Sequence, residues 1–227
     1  MNDLETIRRN LDTVRGRMAR AAERAGRRPE EILLIGVSKT VPVERVRLGV
    51  EAGLAALGEN RVQEAKEKIK VLGRPVPWHL IGHLQTNKVR DAIELFDVIH
   101  SLDRVELAQE LERRAATRGR VVEALLEINV ADEPSKSGLA PDALDAALQT
   151  IGGLTHVRVR GLMVIPPIVE RAEQARPWFQ TLRQLAERHG LKELSMGMSA
   201  DFEVAIEEGA TMVRVGTAIF GARPVRR

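Results

Sequence analysis

Short apolar runs alternate along this chain with stretches of helical period, and the alternation repeats eight times. The apolar runs fall at 31–38, 54–58, 78–82, 96–100, 121–130, 157–165, 193–197 and 211–216. Their length suits strands, and several carry no polar break, as in strands buried on both faces. Between them, near 43–52, 61–71, 86–94, 103–118, 141–151, 169–189 and 200–209, apolar residues return every three or four positions, which predicts helices with one buried face. A further amphipathic helix is expected over 3–25, ended by Gly26 and Pro29. Strands joined in succession by helical crossovers pair in parallel. Eight such units in 227 residues close most economically into a single (β/α)8 barrel of the TIM type, with an open doubly wound sheet as the alternative. No linker, low-complexity tract or repeat divides the chain, so 1–227 reads as one α/β domain.

Composition narrows the function classes. The 35 basic and 32 acidic residues leave a net charge of +3, and the two signs are interleaved, as in Glu64-Ala65-Lys66-Glu67-Lys68. Such mixing describes solvated helix faces, not a nucleic-acid footprint. Aromatic residues make up 3%, with no tyrosine, so a base-stacking platform is not expected. The absence of cysteine removes disulfides, thiolate metal sites and thiol nucleophiles. No run of about 18 apolar residues is present, and the first twenty residues are charged and amphipathic. No membrane association and a cytoplasmic location are therefore expected.

In a barrel, chemistry gathers where the strands end. The run Ile32-Leu33-Leu34-Ile35-Gly36-Val37-Ser38 closes on Lys39 and Thr40. In a dry cavity at the strand lip, the Lys39 amine would lose its proton readily and attack aldehydes; the alternative is a lysine snorkelling to water. Ser195-Met196-Gly197-Met198-Ser199 leads into a helix, which suggests Ser199 as its N-cap. Strand eight ends in Gly216 and Thr217, and free N–H groups at these two adjacent helix starts would cradle a phosphate; two ordinary capped helices are the alternative. Arg214 shares the inward face of strand eight with Gly216, where its acceptor is either an aromatic ring nitrogen or a carboxylate such as Glu203. Asn60 is expected to cap the helix it precedes. His79 and His83 lack a third ligand at a telling spacing, so packing or hydrogen bonding is expected of them, not metal binding. Lys136 is placed in a solvated loop. An imine-forming lysine, a phosphate cradle and an interior arginine together suit pyridoxal 5′-phosphate (PLP), through its aldehyde, phosphate and pyridine nitrogen.

The set Val37-Ser38-Lys39-Thr40, Gly58-Glu59-Asn60, Trp78-His79-Leu80-Ile81-Gly82-His83-Leu84-Gln85-Thr86-Asn87-Lys88, Gly161-Leu162-Met163, Ser195-Met196-Gly197-Met198-Ser199-Ala200-Asp201 and Arg214-Val215-Gly216-Thr217-Ala218-Ile219-Phe220-Gly221 resembles the pyridoxal phosphate homeostasis protein family, in order and over nearly the whole chain. The resemblance implies a fold-type III PLP barrel related to the N-terminal domain of alanine racemase. It implies Lys39 as the internal aldimine, Ser199, Gly216 and Thr217 at the phosphate, Arg214 facing the pyridine nitrogen, and Asn60 and Met163 lining the ring pocket. It implies a role in vitamin B6 (PLP) homeostasis inside the cell, with effects on amino-acid and keto-acid pools and without an established catalytic activity. PLP-dependent apoenzymes would be partners of such a protein, itself expected to be a monomer.

Two enzyme readings compete: a PLP-dependent racemase or decarboxylase, and a class I aldolase using Lys39. Met163 and Ile165 near the mouth of strand six weigh against the aldolase, by fold analogy alone. Against the racemase stands the lack of any tyrosine to act opposite Lys39.

Overall fold

The computed structural model describes residues 2–131, 133 and 136–221. Eight parallel strands close into a barrel in sequence order: β1 (Leu33–Val37), β2 (Ala56–Glu59), β3 (Trp78–Leu80), β4 (Val98–Leu102), β5 (Val122–Glu127), β6 (Val157–Met163), β7 (Glu193–Met198) and β8 (Met212–Val215). Closure is by β1 against β8, with Leu33 opposite Met212 and Ile35 opposite Arg214. The open sheet is thereby ruled out.

Helices α1 (Asp3–Arg24), α2 (Val43–Glu51), α3 (Val62–Leu72), α4 (Val89–Leu95), α5 (Val105–Ala116), α6 (Leu144–Gly152), α7 (Arg176–Arg188), α8 (Phe202–Glu207) and α9 (Thr217–Phe220) surround it. α1 opens on a capping box in which Asn2 and Glu5 satisfy each other's backbone N–H groups. Its stripe Ile7, Leu11, Val14, Met18 and Ala21 is buried at alternating four- and three-residue steps. Arg17 fixes α1 to α8, pairing with Glu203 at 2.7 Å and lying 4.5 Å over the Phe202 ring.

The main apolar core lies between strands and helices. Inside the barrel the apolar cluster is small: Ile35, Ala56, Leu125, Met163 and Met212. The strands are mostly shorter than their apolar runs. The fifth run, read as 121–130, is strand only to Glu127, with Ile128 adding an isolated bridge to Leu139, and Glu31 belongs to a 3-10 turn, Pro29–Glu31, ahead of β1. No helix among the described residues is long and apolar enough to cross a membrane.

Candidate functional site at the C-terminal ends of the strands

Past β1, Ser38 is fully buried and its N–H donates to the Gly58 carbonyl at 2.9 Å, tying the turn to β2. Lys39 and Thr40 make the turn, and Thr40 takes φ 62°, a left-handed conformation that β-branched residues avoid. A buried ion-pair network holds it there. Glu64 accepts the Thr40 N–H at 2.6 Å. Lys68, 6% exposed, donates to the Ser38 carbonyl (2.5 Å), to Glu59 Oε1 (2.5 Å) and to Glu64 Oε1 (2.8 Å). The residues on either side of Lys39 are thus clamped to one ammonium. Burial raises the pKa of Glu59, with Lys68 opposing. For Glu64 burial is outweighed by hydrogen bonds from Lys68 and Thr40, and its pKa is lowered.

Lys39 itself is partly exposed and borders a cavity of about 520 Å³ with Asn60, Gly82, His83, Gln85 and Lys88. The dry setting expected around Lys39 is found instead at Lys68, because the turn carries Lys39 beyond the packed end of the barrel.

Asn60 does not cap a helix: α3 starts at Val62 behind Arg61, with no side-chain cap. Its N–H donates to Glu59 Oε2 at 3.0 Å, and Gly82 packs so closely that a Cβ there would lie 2.4 Å from the Asn60 carbonyl oxygen. Asn60 also borders a second cavity, about 230 Å³, with Glu127, Ile128, Lys136 and Ile165. Burial and nearby Asp103 push Glu127 up to about 7, against the pull of Arg214. His83 is exposed and binds Asp103 at 2.8 Å. Lys136 is half-buried and pairs with Glu133 at 2.7 Å; Pro134 and Ser135 of its loop lie outside the described residues. Met163 is fully buried in the inner cluster and does not border either cavity.

β7 and β8 bring Ser199, Gly216 and Thr217 together. Ser199 Oγ lies 3.4 Å from the Gly216 nitrogen and 3.3 Å from Thr217 Oγ1. Ser199 is not the N-cap of α8. Asp201 occupies that position and accepts the Met198 N–H at 2.6 Å, after Gly197 has turned the strand at φ 89°. Arg214 is 3% exposed. It donates through Nη1 to Ser195 Oγ (2.6 Å) and through Nη2 to the Val164 carbonyl (2.8 Å), and of its remaining N–H groups Nε–H carries no hydrogen bond in the structure. Burial lowers its pKa to about 10, with Glu127 and Asp201 opposing, so it is charged at neutral pH. Glu203 belongs to Arg17, not to Arg214.

Because β1 neighbours β8, Lys39 and the Gly216–Thr217 turn leave adjacent strands at the same barrel end. The donor set suits one kind of ligand: a primary amine for an aldehyde, hydroxyls and a backbone amide for a dianion, and a guanidinium N–H for an aromatic nitrogen. Sequence reasoning missed Lys68, Glu127 and His100. Lys68 was detectable, since it continues the buried series Val62, Ala65 along α3. Glu127 was hidden inside an apolar run assumed to continue through it. His100, fully buried on β4, gave only the signal of an imidazole among apolar neighbours.

The sequence profile of the alanine racemase N-terminal domain family matches residues 3–224. The pyridoxal phosphate homeostasis protein of Aquifex aeolicus is 46% identical, over 98% of this chain and 99% of its own length. That of Pseudomonas aeruginosa is 44% identical, over 97% of each chain. Among solved structures, PipY of Synechococcus elongatus with PLP bound superposes with a TM-score of 0.83 at 38% identity, covering 95% of this chain and all of PipY.

Proposed function

The chain belongs to the pyridoxal phosphate homeostasis protein family, built on the barrel of the alanine racemase N-terminal domain, and from that premise we propose that it binds PLP through a Schiff base to Lys39. In this reading Ser199, Gly216 and Thr217 receive the phosphate, Arg214 Nε–H meets the pyridine nitrogen, and Asn60 flanks the ring; Met163, which borders neither cavity, would have to reach the ring from the inner cluster. When bound, PLP supplies an aldehyde that condenses with amines. The chain's own contribution is to present one amine in a clamped turn, to neutralise a dianion with donors, and to set a charged guanidinium at the ring. The carrying observation is that the Lys39 turn and the Ser199–Gly216–Thr217 cluster leave neighbouring strands at one end of the barrel, with Arg214 behind them.

The biological role proposed is holding PLP available yet unreactive in the cytoplasm, as a monomer that exchanges it with PLP-dependent apoenzymes and so influences amino-acid and keto-acid pools. Binding rather than turnover is assigned. A guanidinium that keeps its proton leaves the ring nitrogen unprotonated and the ring a weak electron sink. The test is borohydride reduction of the yellow protein followed by peptide mapping. A phosphopyridoxyl group on the peptide carrying Lys39 is expected. A label mainly on Lys136, or no chromophore in protein purified with PLP, would refute the reading.

A further inference from the structure

Branched aliphatic side chains usually fill the interior of eight-stranded α/β barrels. Here His79 on β3, His100 on β4, Ser195 on β7 and Arg214 on β8 stand among the five apolar residues of the inner cluster, each at least nine-tenths buried. They form one continuous chain. Arg214 Nη1 donates to Ser195 Oγ at 2.6 Å. Ser195 Oγ lies 2.8 Å from His100 Nδ1, and His100 Nε2 lies 2.8 Å from His79 Nδ1. The imidazoles meet edge to face, with centroids 5.0 Å apart and planes at 67°. His79 in turn borders a cavity of about 1020 Å³ whose wall includes Leu33, Val98, Glu193 and Met212, the first residues of β1, β4, β7 and β8. The chain therefore runs from Arg214, near the end of β8, to the opposite face of the barrel.

Its direction follows from valence. A guanidinium only donates, so Ser195 Oγ accepts from Arg214; a hydroxyl can accept a second time, but His100 Nδ1 is the one acceptor in reach of the Ser195 proton among the described residues, so that proton is directed there. His100, its Nδ1 occupied as an acceptor, carries its proton on Nε2 and donates it to His79 Nδ1. His79 then also carries its proton on Nε2, toward the cavity. This direction requires one proton per ring. Burial supplies that condition, holding His79 at about 4 and His100 well below the usual imidazole range.

We propose that Ser195, His100 and His79 are positioning residues for Arg214: a donor chain of fixed direction, reaching to the far face of the barrel, that sets the rotation of the guanidinium and aims its Nε–H at the ring-nitrogen position. The aiming role rests on the PLP reading above; the direction of the chain does not. Without the chain, Arg214 Nη1 would lose its partner, and the guanidinium could turn about its long side chain.

Nitrogen-15 NMR of histidine-labelled protein, with and without PLP, tests the direction. Both His79 and His100 should be neutral Nε2–H tautomers at pH 7, and an Nδ1–H tautomer at either would overturn it. The aiming role is tested by Ser195→Ala and by the distant His79→Phe, scored by the PLP absorbance band and dissociation constant beside the melting temperature of PLP-free protein. Ser195→Ala should move the band and weaken PLP about tenfold, the scale of one hydrogen bond to a charged group. His79→Phe should act in the same sense, and Ser195→Thr, which keeps the hydroxyl, should restore both readouts. Variants that lower only the melting temperature, with band and affinity unchanged, would show the chain to be structural and overturn the proposal. A wild type that bound no PLP would overturn the function reading and the aiming role together, while the tautomers would still decide the direction.

Discussion

Replacing Glu127 with glutamine should stabilise the protein, and only above a definite pH. Glu127 is 7% exposed at the end of β5, and burial, the largest effect, lifts its pKa from 4.5 to about 7. The raised value means that the folded state binds the proton more tightly than the unfolded state. The associated stability is complete below pH 4.5, falls as pH rises toward 7, and is gone above it. At about 1.4 kcal/mol per pH unit, the folded protein loses about 3 kcal/mol across that window. Glu127→Gln imitates the protonated form at every pH and avoids the loss. Carboxylates held low by arginines, such as Glu110 at about 2, titrate in the opposite sense but alike in both proteins, so they cancel in the difference. Urea unfolding of PLP-free wild type and Glu127→Gln at pH 4.5, 6, 7 and 8 measures this; PLP is left out because a ligand adds stability of its own. The variant should match wild type at pH 4.5 and exceed it by about 3 kcal/mol at pH 8. A difference independent of pH would mean that the attraction of Arg214 balances burial, and a wild type that gains on the variant as pH rises would mean that it outweighs burial; either result would refute the reasoning.

Lys68→Met strands the fully buried Glu59 carboxylate and should cost about 3–5 kcal/mol in chemical denaturation; the double variant with Glu59→Gln should recover most of it. Pyridoxal should bind about 10²–10⁴ times more weakly than PLP in fluorescence titrations, since two charge-assisted hydrogen bonds at the phosphate are worth roughly 1.5–3 kcal/mol each. Gly161→Ala would bring a Cβ within 1.9 Å of the Glu193 carbonyl oxygen across the β6–β7 pairing, and should destabilise by at least about 2 kcal/mol in the same urea assay. Chiral chromatography after incubation with L-alanine or L-serine should show racemisation far slower than about 1 s⁻¹, because no tyrosine is present to act opposite Lys39 and Arg214 does not surrender its proton to the ring.

All eight strands and their crossover helices were legible because each carries its own period, and the order of the elements then dictates barrel closure. The ends were less legible. Apolar runs extend past the last paired residue wherever the chain packs over the barrel rim, which is why Glu127 vanished into a run read as 121–130. Capping assignments failed at Asn60 and Ser199 for a related reason: the turns after β2 and β7 consume one or two more residues than the periodicity suggests. At Ser199 the delay is set by Gly197 at φ 89° and by Asp201 closing on the Met198 N–H. Periodicity did place Arg214 inside the barrel, but its partners come from β5, β7 and the loop after β6, and pairings across such distances leave no trace in spacing.

The two groups given the sharpest roles at the mouth are held by the same device, a buried charge that reaches partners on other elements. Lys68 reaches from α3 to the turn that presents Lys39, and Arg214 reaches from β8 to Ser195 and the Val164 carbonyl. Buried charges add little net stability over a well-packed apolar core, so stability alone does not account for them. What they provide is geometry. An ammonium with three donors and a guanidinium with five, each short of water, tolerate few rotamers. The turn with Thr40 at φ 62° and the rotation of Arg214 are therefore set before any ligand arrives. A site arranged this way spends little of its binding energy on ordering side chains.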